Sequence, residues 1–380
     1  LPVVVLAPER DLALFAEVGR HGDAVVGQVH GSFEHASAAT VAEVLQYVPG
    51  VHVEMLGGPG SYAGAIYMQG SETRQVAVYQ DGVLLNELDN PRTDLSYLPI
   101  DAIERIEVYK GAASAAWGSS LGGVINIVTQ TPDPARPVAA DIHASYGEFD
   151  TVKARGNFNG THGRFGYLVS VTHHESGGHI DNTEYEENSV YTKFHYDTGE
   201  TGRLSFACFY DEGRNADPVI PFPEFWDDID RKRTYQRILF ETELAGGWSA
   251  SVEGRHHQWD IHIDDVFTDM RAVYNDYEDE TWGGSGRLTY QKTADHTFNI
   301  GFDGNSGEYD YIGFDRIYTT DTWALYANDT LRVGNWVINA GLRYDDDSTF
   351  GDAASPVLGA VIHLWEGKAL VRGQVARGFS

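Results

Sequence analysis

Three acidic stretches carry the densest chemistry in this sequence. FPEFWDDIDRKR holds Glu224, Asp227, Asp228 and Asp230, IDDVFTD holds Asp264, Asp265 and Asp269, and RYDDDS holds Asp345, Asp346 and Asp347. Calcium takes roughly six to eight oxygen ligands, and Asp227, Asp228, Asp230, Asp264 and Asp265 are candidates to supply them from loops. No complete calcium-loop spacing is present, so solvated acidic loops account for the same residues. Histidines occur as His173-His174, His256-His257 and His262. Adjacent strand residues point to opposite faces, and His256 and His262, on one face, stand about 20 Å apart along a strand. That separation is too great for one metal ion.

Residues 103–132, IERIEVYKGAASAAWGSSLGGVINIVTQTP, contain a glycine-rich stretch between two β-branched runs. A phosphate loop needs Lys and Ser/Thr directly after its last glycine, but Val124 and Ile125 follow Gly122 and Gly123. The chain then runs into a strand, without the helix N-terminus that would bind an anion. The glycines therefore suit close backbone approach. No assembled triad signature occurs, and no catalytic residue is expected.

Composition removes further classes. Among 380 residues, 27 Lys and Arg face 56 Asp and Glu, a net charge of −29. Nucleic acid requires a basic footprint, so it is not an expected partner. Cys208 is the only cysteine, which excludes an internal disulfide and a cysteine zinc site. The first residues have no basic region and no long apolar core of an export signal. No run of 18 apolar residues would form a membrane helix. Barrel strands escape that test because they alternate.

The elements that must position these groups follow two grammars. Up to about residue 136, helix and strand signals mix. Thr40 and Glu43 form a capping-box pair ahead of Val41, Val44, Leu45 and Val48 at helical spacing, and Pro49-Gly50 stops the helix. QVAVYQDGVLL places Asp81-Gly82 at a hairpin turn. PDPARP, at 132–137, is a linker. Beyond it the period is two. VYTKFHYD sets Val190, Thr192, Phe194 and Tyr196 against Tyr191, Lys193, His195 and Asp197. RILFETEL sets Ile238, Phe240 and Leu244 against Arg237, Glu241 and Glu243. HHQWDIHID sets His257, Trp259, Ile261 and Ile263 against His256, Gln258, Asp260, His262 and Asp264, and WVINAGLRYDD alternates likewise. Each run is on the order of 10 residues, the length of a tilted strand crossing an outer membrane. A dry sandwich core could not hold the repeated polar face, whereas a water-filled or plugged lumen could. The histidines then become lumen or loop residues, and Cys208, with Leu204, Phe206 and Tyr210, an apolar filler on the lipid face.

TVAEVLQYVPGVHV, VYQDGVLLN, LSYLPIDAIERIEVYKGAASAAWG and LGGVINIVTQTP, in that order, strongly resemble the plug of TonB-dependent outer-membrane receptors. The remainder resembles the first part of their barrel, with about a dozen strand candidates where the family barrel has 22 strands. The expected fold is thus a transmembrane antiparallel β-barrel with an N-terminal α/β plug in its lumen, the barrel incomplete in this chain. Residues 1–8 would form the TonB-box region, 9–136 the plug and 137–380 the N-terminal part of the barrel. The run from Asn335 to Ser380 looks closest to the vitamin B12 (cobalamin) receptor branch.

The resemblance implies an importer in the bacterial outer membrane with no catalytic site and no required cofactor. Its cargo would be a scarce metal chelate, cobalamin or a ferric siderophore. Alternatives are haem, or a plugged-barrel adhesin or scaffold without import. The implied partners are TonB with its inner-membrane energising complex, the chelate and outer-membrane lipid. Val3, Val4, Val5, Leu6 and Ala7, an extended run between Pro2 and Pro8, fit a TonB box that adds as a strand to its partner. Glu104, Arg105 and Glu107 are expected to latch plug to barrel. The family pattern departs at Gln69-Gly70, Lys110-Gly111-Ala112 and Trp117, so the latching ion pairs are expected to be rearranged.

Overall fold

The computed structural model describes residues 5–6, 14–15, 27–30, 40–55, 65–88, 93–96, 98–100, 102–111, 114–216, 220–221, 224–267, 273–311, 316–364 and 369–379. The N-terminal region contains β1 (Val5–Leu6), β2 (Leu14–Phe15), β3 (Gly27–His30), α1 (Val41–Leu45), β4 (Val51–Glu54) and β5 (Ala65–Met68). It continues with β6 (Val76–Gln80), β7 (Val83–Leu84), β8 (Ile103–Lys110), α2 (Ser114–Trp117) and β9 (Gly123–Thr129).

Thr40 starts α1 as the capping pattern predicts: its hydroxyl accepts the Glu43 amide at 3.4 Å. The helix is short because Val41, Ala42, Val44 and Leu45 are already buried within little more than one turn. Packing against neighbours, not helix length, stabilises it. The sheet has the order β3-β8-β9-β6-β7, with β6 and β9 parallel and the other pairs antiparallel. Val78, Ile106, Ile125 and Ile127 make its buried centre.

Two local features shape this layer. Asp81 and Gly82 both take positive φ, +48° and +87°, which twists the β6–β7 hairpin as a two-residue turn requires. Gly123 opens β9 at φ +143°, and a Cβ there would lie 2.3 Å from the Tyr109 carbonyl oxygen. The glycine-rich stretch is therefore a close-packing device. Its Trp117 lies between Tyr79 and Tyr109, with ring centres 5.0 and 5.5 Å away.

The wall comprises β10 (Ala139–Tyr146), β11 (Val152–His162), β12 (Phe165–Ser176), β13 (Tyr185–Asp197), β14 (Gly202–Ala216), β15 (Ile220–Pro221) and β16 (Glu224–Glu243). It goes on through β17 (Trp248–Phe267), β18 (Val273–Thr293), β19 (His296–Tyr311), β20 (Arg316–Val333), β21 (Trp336–Asp347), β22 (Gly351–Leu364) and β23 (Ala369–Ala376). Each long strand pairs antiparallel with the next, and β15 folds back on β16. Among the described residues this sheet runs from β10 to β23 without closing. The unclosed wall agrees with the sequence expectation.

Expected strand length was wrong in the middle of the wall. β16, β17 and β18 have 20, 20 and 21 residues. A tilted strand crosses a bilayer in about 9–11, so these ladders continue well past the lipid. Face assignment changes with height for the same reason. Near the membrane, Val190, Phe206, Ile238, Phe240 and Val252 point outward and are exposed, while Tyr191, Phe209 and Tyr235 face inward and are buried. Farther along β17 the polarity inverts: His257, Trp259 and Ile261 face inward and are buried, and His256, Gln258, Asp260 and His262 face outward. The polar side of HHQWDIHID therefore does not line the lumen. Beyond the lipid, water wets the outer face and the plug covers the inner one.

Candidate functional site

The turn between β6 and β7 is where the N-terminal domain grips the wall. Thr129, at the end of β9, donates its amide and hydroxyl to the two Asp81 carboxylate oxygens at 3.1 and 2.6 Å. From β13, Tyr191 donates its hydroxyl to the same carboxylate. Lys193 Nζ donates to the Thr129 hydroxyl at 2.6 Å and lies 3.3 Å from Asp81 Oδ2. Burial alone would raise the Asp81 carboxyl. Lys193 and the hydrogen bonds from Thr129 and Tyr191 outweigh it and hold the group below the usual carboxylate range. The neighbouring Gly82 meets the Arg237–Glu253 ion pair, with both side chains 3.5 Å from where its Cβ would stand.

Two further ties use other strands. Leu88 donates its amide to Asp279 Oδ2 of β18 at 2.6 Å. Arg343 of β21 pairs with Asp303 and Asp345 at 2.6 and 2.7 Å and lies against Gly118. Tyr79 lies in the same layer, and burial pushes its phenol up to about 12 against the opposing pull of Arg343 and Arg255. It stays neutral and donates to the Trp117 carbonyl at 2.7 Å. The wall's own lumen face carries buried ion pairs, Arg231 with Glu187 at 2.7 Å and Arg233 with Asp211.

The predicted site residues are distributed differently. Arg105 bonds Glu107 at 2.8 Å and Glu104 at 3.2 Å, both on its own strand β8. Val3, Val4 and Ala7 lie outside the described residues, and Val5–Leu6 pairs antiparallel with Leu14–Phe15. The acidic stretches come together across β16 and β17, where Asp228 stands opposite Asp264 and Asp230 opposite His262. The side chains of Asp227 and Asp265 lie outside the described set. Among the described residues no group of three or more His, Cys, Asp and Glu side chains is arranged to hold a metal ion.

Asp230 and His262 instead border an outward cavity of about 650 Å³, together with Glu186, Arg214, Lys232 and Glu278. As expected of neighbours on a strand, His173 and His174 divide between faces: His173 meets Asn188 at 2.9 Å, and His174 is buried on Tyr185 at 2.7 Å. The sequence reading missed Asp81, Thr129, Tyr191 and Lys193 as a set. Thr129 and Tyr191 lie 48 and 110 positions from Asp81, so no local spacing links them. Only the unusual Tyr and Lys on the inner face of VYTKFHYD hint at it.

A plug-like layer gripped inside a strand meander is also what family comparison finds. Residues 31–124 match the model described as the TonB-dependent Receptor Plug Domain. Residues 128–380 match the TonB dependent receptor-like β-barrel. The chain belongs to the TonB-dependent receptor family. That membership places the chain in the outer membrane, in a family of receptors and not of enzymes.

Solved structures share the fold. The FrpB iron transporter of Neisseria meningitidis matches with a TM-score of 0.71 at 13% identity, over 87% of this chain and 61% of its own. The siderophore receptor PirA of Pseudomonas aeruginosa matches with 0.71 at 18%, over 93% and 61%. The ferric enterobactin receptor PfeA of the same organism matches with 0.73 at 15%, over 93% and 62%. The chain thus spans about three-fifths of the length of these receptors.

These relatives are iron and siderophore receptors and not cobalamin receptors, which overturns the cobalamin-branch likeness. That likeness rested on residues 335–380, which form β21, β22 and β23. Alternating wall strands answer to lipid and plug, so they carry little information about cargo.

Proposed function

We propose that this receptor domain pair belongs to an importer of an oxygen-rich iron(III) chelate of the siderophore class. The chelate binds on the side remote from the plug–wall linker. A TonB-type partner then pulls on residues 3–7 to loosen the plug. The observation that carries this reading is the plug's attachment: beside an apolar contact with Leu168, Ala207, Phe209 and Tyr235 of the wall, the plug is held by discrete polar ties at Asp81 and Leu88, which can be broken and remade. The iron and siderophore names of the fold relatives support the cargo class. Val3 to Ala7 supports the partner, because an extended β-branched run suits strand addition.

The test is deletion of residues 1–8 in the receptor expressed in its native cells. Energised uptake of radioiron-loaded siderophores should be lost while surface binding persists. Unchanged uptake would remove residues 3–7 from the energising step.

A further inference from the structure

Three plug ties frame a window on the inner face of the wall. Tyr191 and Lys193 of β13 hold Asp81 on one flank, and Asp279 of β18 holds the Leu88 amide on the other. Toward the end where plug joins wall, the Arg237–Glu253 pair meets Gly82.

Within this frame, cross-strand partners form two adjacent rows, Phe209–Tyr235–His257 and Asp211–Arg233–Trp259, with all six residues buried. Phe209 and Tyr235 stack at 5.4 Å, and the Arg233 guanidinium lies 5.4 and 5.2 Å from the Phe209 and Trp259 ring centres. One Arg233 nitrogen, Nη2, donates to Asp211. Among the described residues, Arg233 Nε and Nη1, the Tyr235 hydroxyl, His257 Nε2 and Trp259 Nε1 have no hydrogen-bond partner, and neither has Asp211 Oδ1.

Buried polar groups are hydrogen-bonded as a rule, so a cluster of exceptions calls for an occupant. Most of these atoms are donors, and they lie among aromatic faces. An occupant rich in acceptor oxygens, with flat organic surface, matches both features. The flanking residues Tyr191, Lys193 and Asp279 are engaged by the plug through hydrogen bonds, whereas Phe209 and Tyr235 meet it only as members of its buried apolar cluster.

We propose that this window on β14, β16 and β17 is the lumenal track of the imported chelate. Once the flanking plug ties open, the anionic oxygens of the chelate bond in passing to Arg233, Tyr235, His257 and Trp259. The inference rests on the import reading above and adds where in the lumen transfer occurs.

The test uses the full receptor in its native cells, with Tyr235→Phe/Trp259→Phe, which removes two donors and leaves an aromatic ring at each position, and His257→Gln as a milder single variant. Radioiron-loaded ferric citrate, a ferric hydroxamate and a ferric catecholate are the probes. Binding to de-energised cells and initial uptake by energised cells are measured at equal receptor abundance. Surface affinity should stay within about twofold of wild type, while uptake of the bound probe falls about tenfold in the double variant. Uptake at the wild-type rate would overturn the track, as would binding and uptake falling together. If the double variant fails to assemble, His257→Gln decides by the same two readouts. A wild-type receptor that binds none of the three probes would instead sink the import reading itself.

Discussion

The plug and the wall bury opposite kinds of surface. In the plug, Val78, Ile106 and Ile125 have no exposure at all, and the buried charges, Asp94, Glu107 and Lys110 among them, are few beside that apolar core. In the wall, Val252 and Leu358 are 63% and 61% exposed, while Arg233 and Asp211 are buried. The wall itself follows two rules. Where lipid lies outside, apolar residues face out; farther along β17, Trp259 and Ile261 turn inward and His256 and Asp260 turn out. Side-chain polarity in a strand therefore reports what lies beyond each face at that height, not which face is inside.

That contrast can be broken by substitution. Ile106→Asp should have the largest effect, because a charge in the dry plug core has no partner. A loss above about 4 kcal/mol is expected, read as protease cleavage of the plug while the wall stays intact. Asp81→Asn comes next. Removing one partner of a buried ion pair typically costs about 3–5 kcal/mol, and the value here belongs near the low end because Lys193 keeps some solvent contact. Adding Lys193→Met should recover part of the loss in a double-mutant cycle.

The Asp81 tie also has a pH signature. The folded carboxyl titrates below its unfolded value of about 3.9, so the stabilisation is present above that value. It disappears as pH falls through the folded pKa. Plug release followed by protease sensitivity should therefore be steep only in that acidic window, and a release centred near neutrality would exclude Asp81 as its cause.

Val252→Arg and Gln258→Arg, on one outward face six positions apart, test the two rules of the wall. The first should cost about 2–4 kcal/mol in a refolding equilibrium and the second about 0–1. Equal costs would place both at one depth and remove the height rule. The smallest effect is expected from divalent-cation removal. A chelator should leave the melting temperature unchanged, and a clear fall would assign calcium to the acidic residues around Asp228, Asp230 and Asp264.

Local chemistry made much of this legible. Thr40 before a helical run, Asp81-Gly82 between two strand runs and Gly123 at a strand start each depend on nearby residues, and each structural outcome follows from capping, turn twist or a close carbonyl. The alternation in VYTKFHYD also assigns its faces correctly, since Tyr191 and Lys193 meet the plug and Val190 faces out. HHQWDIHID misled because alternation defines two faces but does not say what each one touches. Arg105 shows the same limit of local pattern: its charge does not name a partner, and in the fold it pairs with Glu104 and Glu107 on its own strand.

Composition and short-range pattern were sufficient for the class of molecule: an acidic chain, one cysteine, a mixed α/β layer, a proline-rich link and a long antiparallel meander. They suffice because capping, turns and period-two alternation are decided within a few residues. The grip of Asp81 on Thr129, Tyr191 and Lys193, and the window around Arg233, required the folded chain. Their members are far apart in sequence, and only the seating of the plug against β13 through β18 selects which wall residues find partners and which are left with donors to spare.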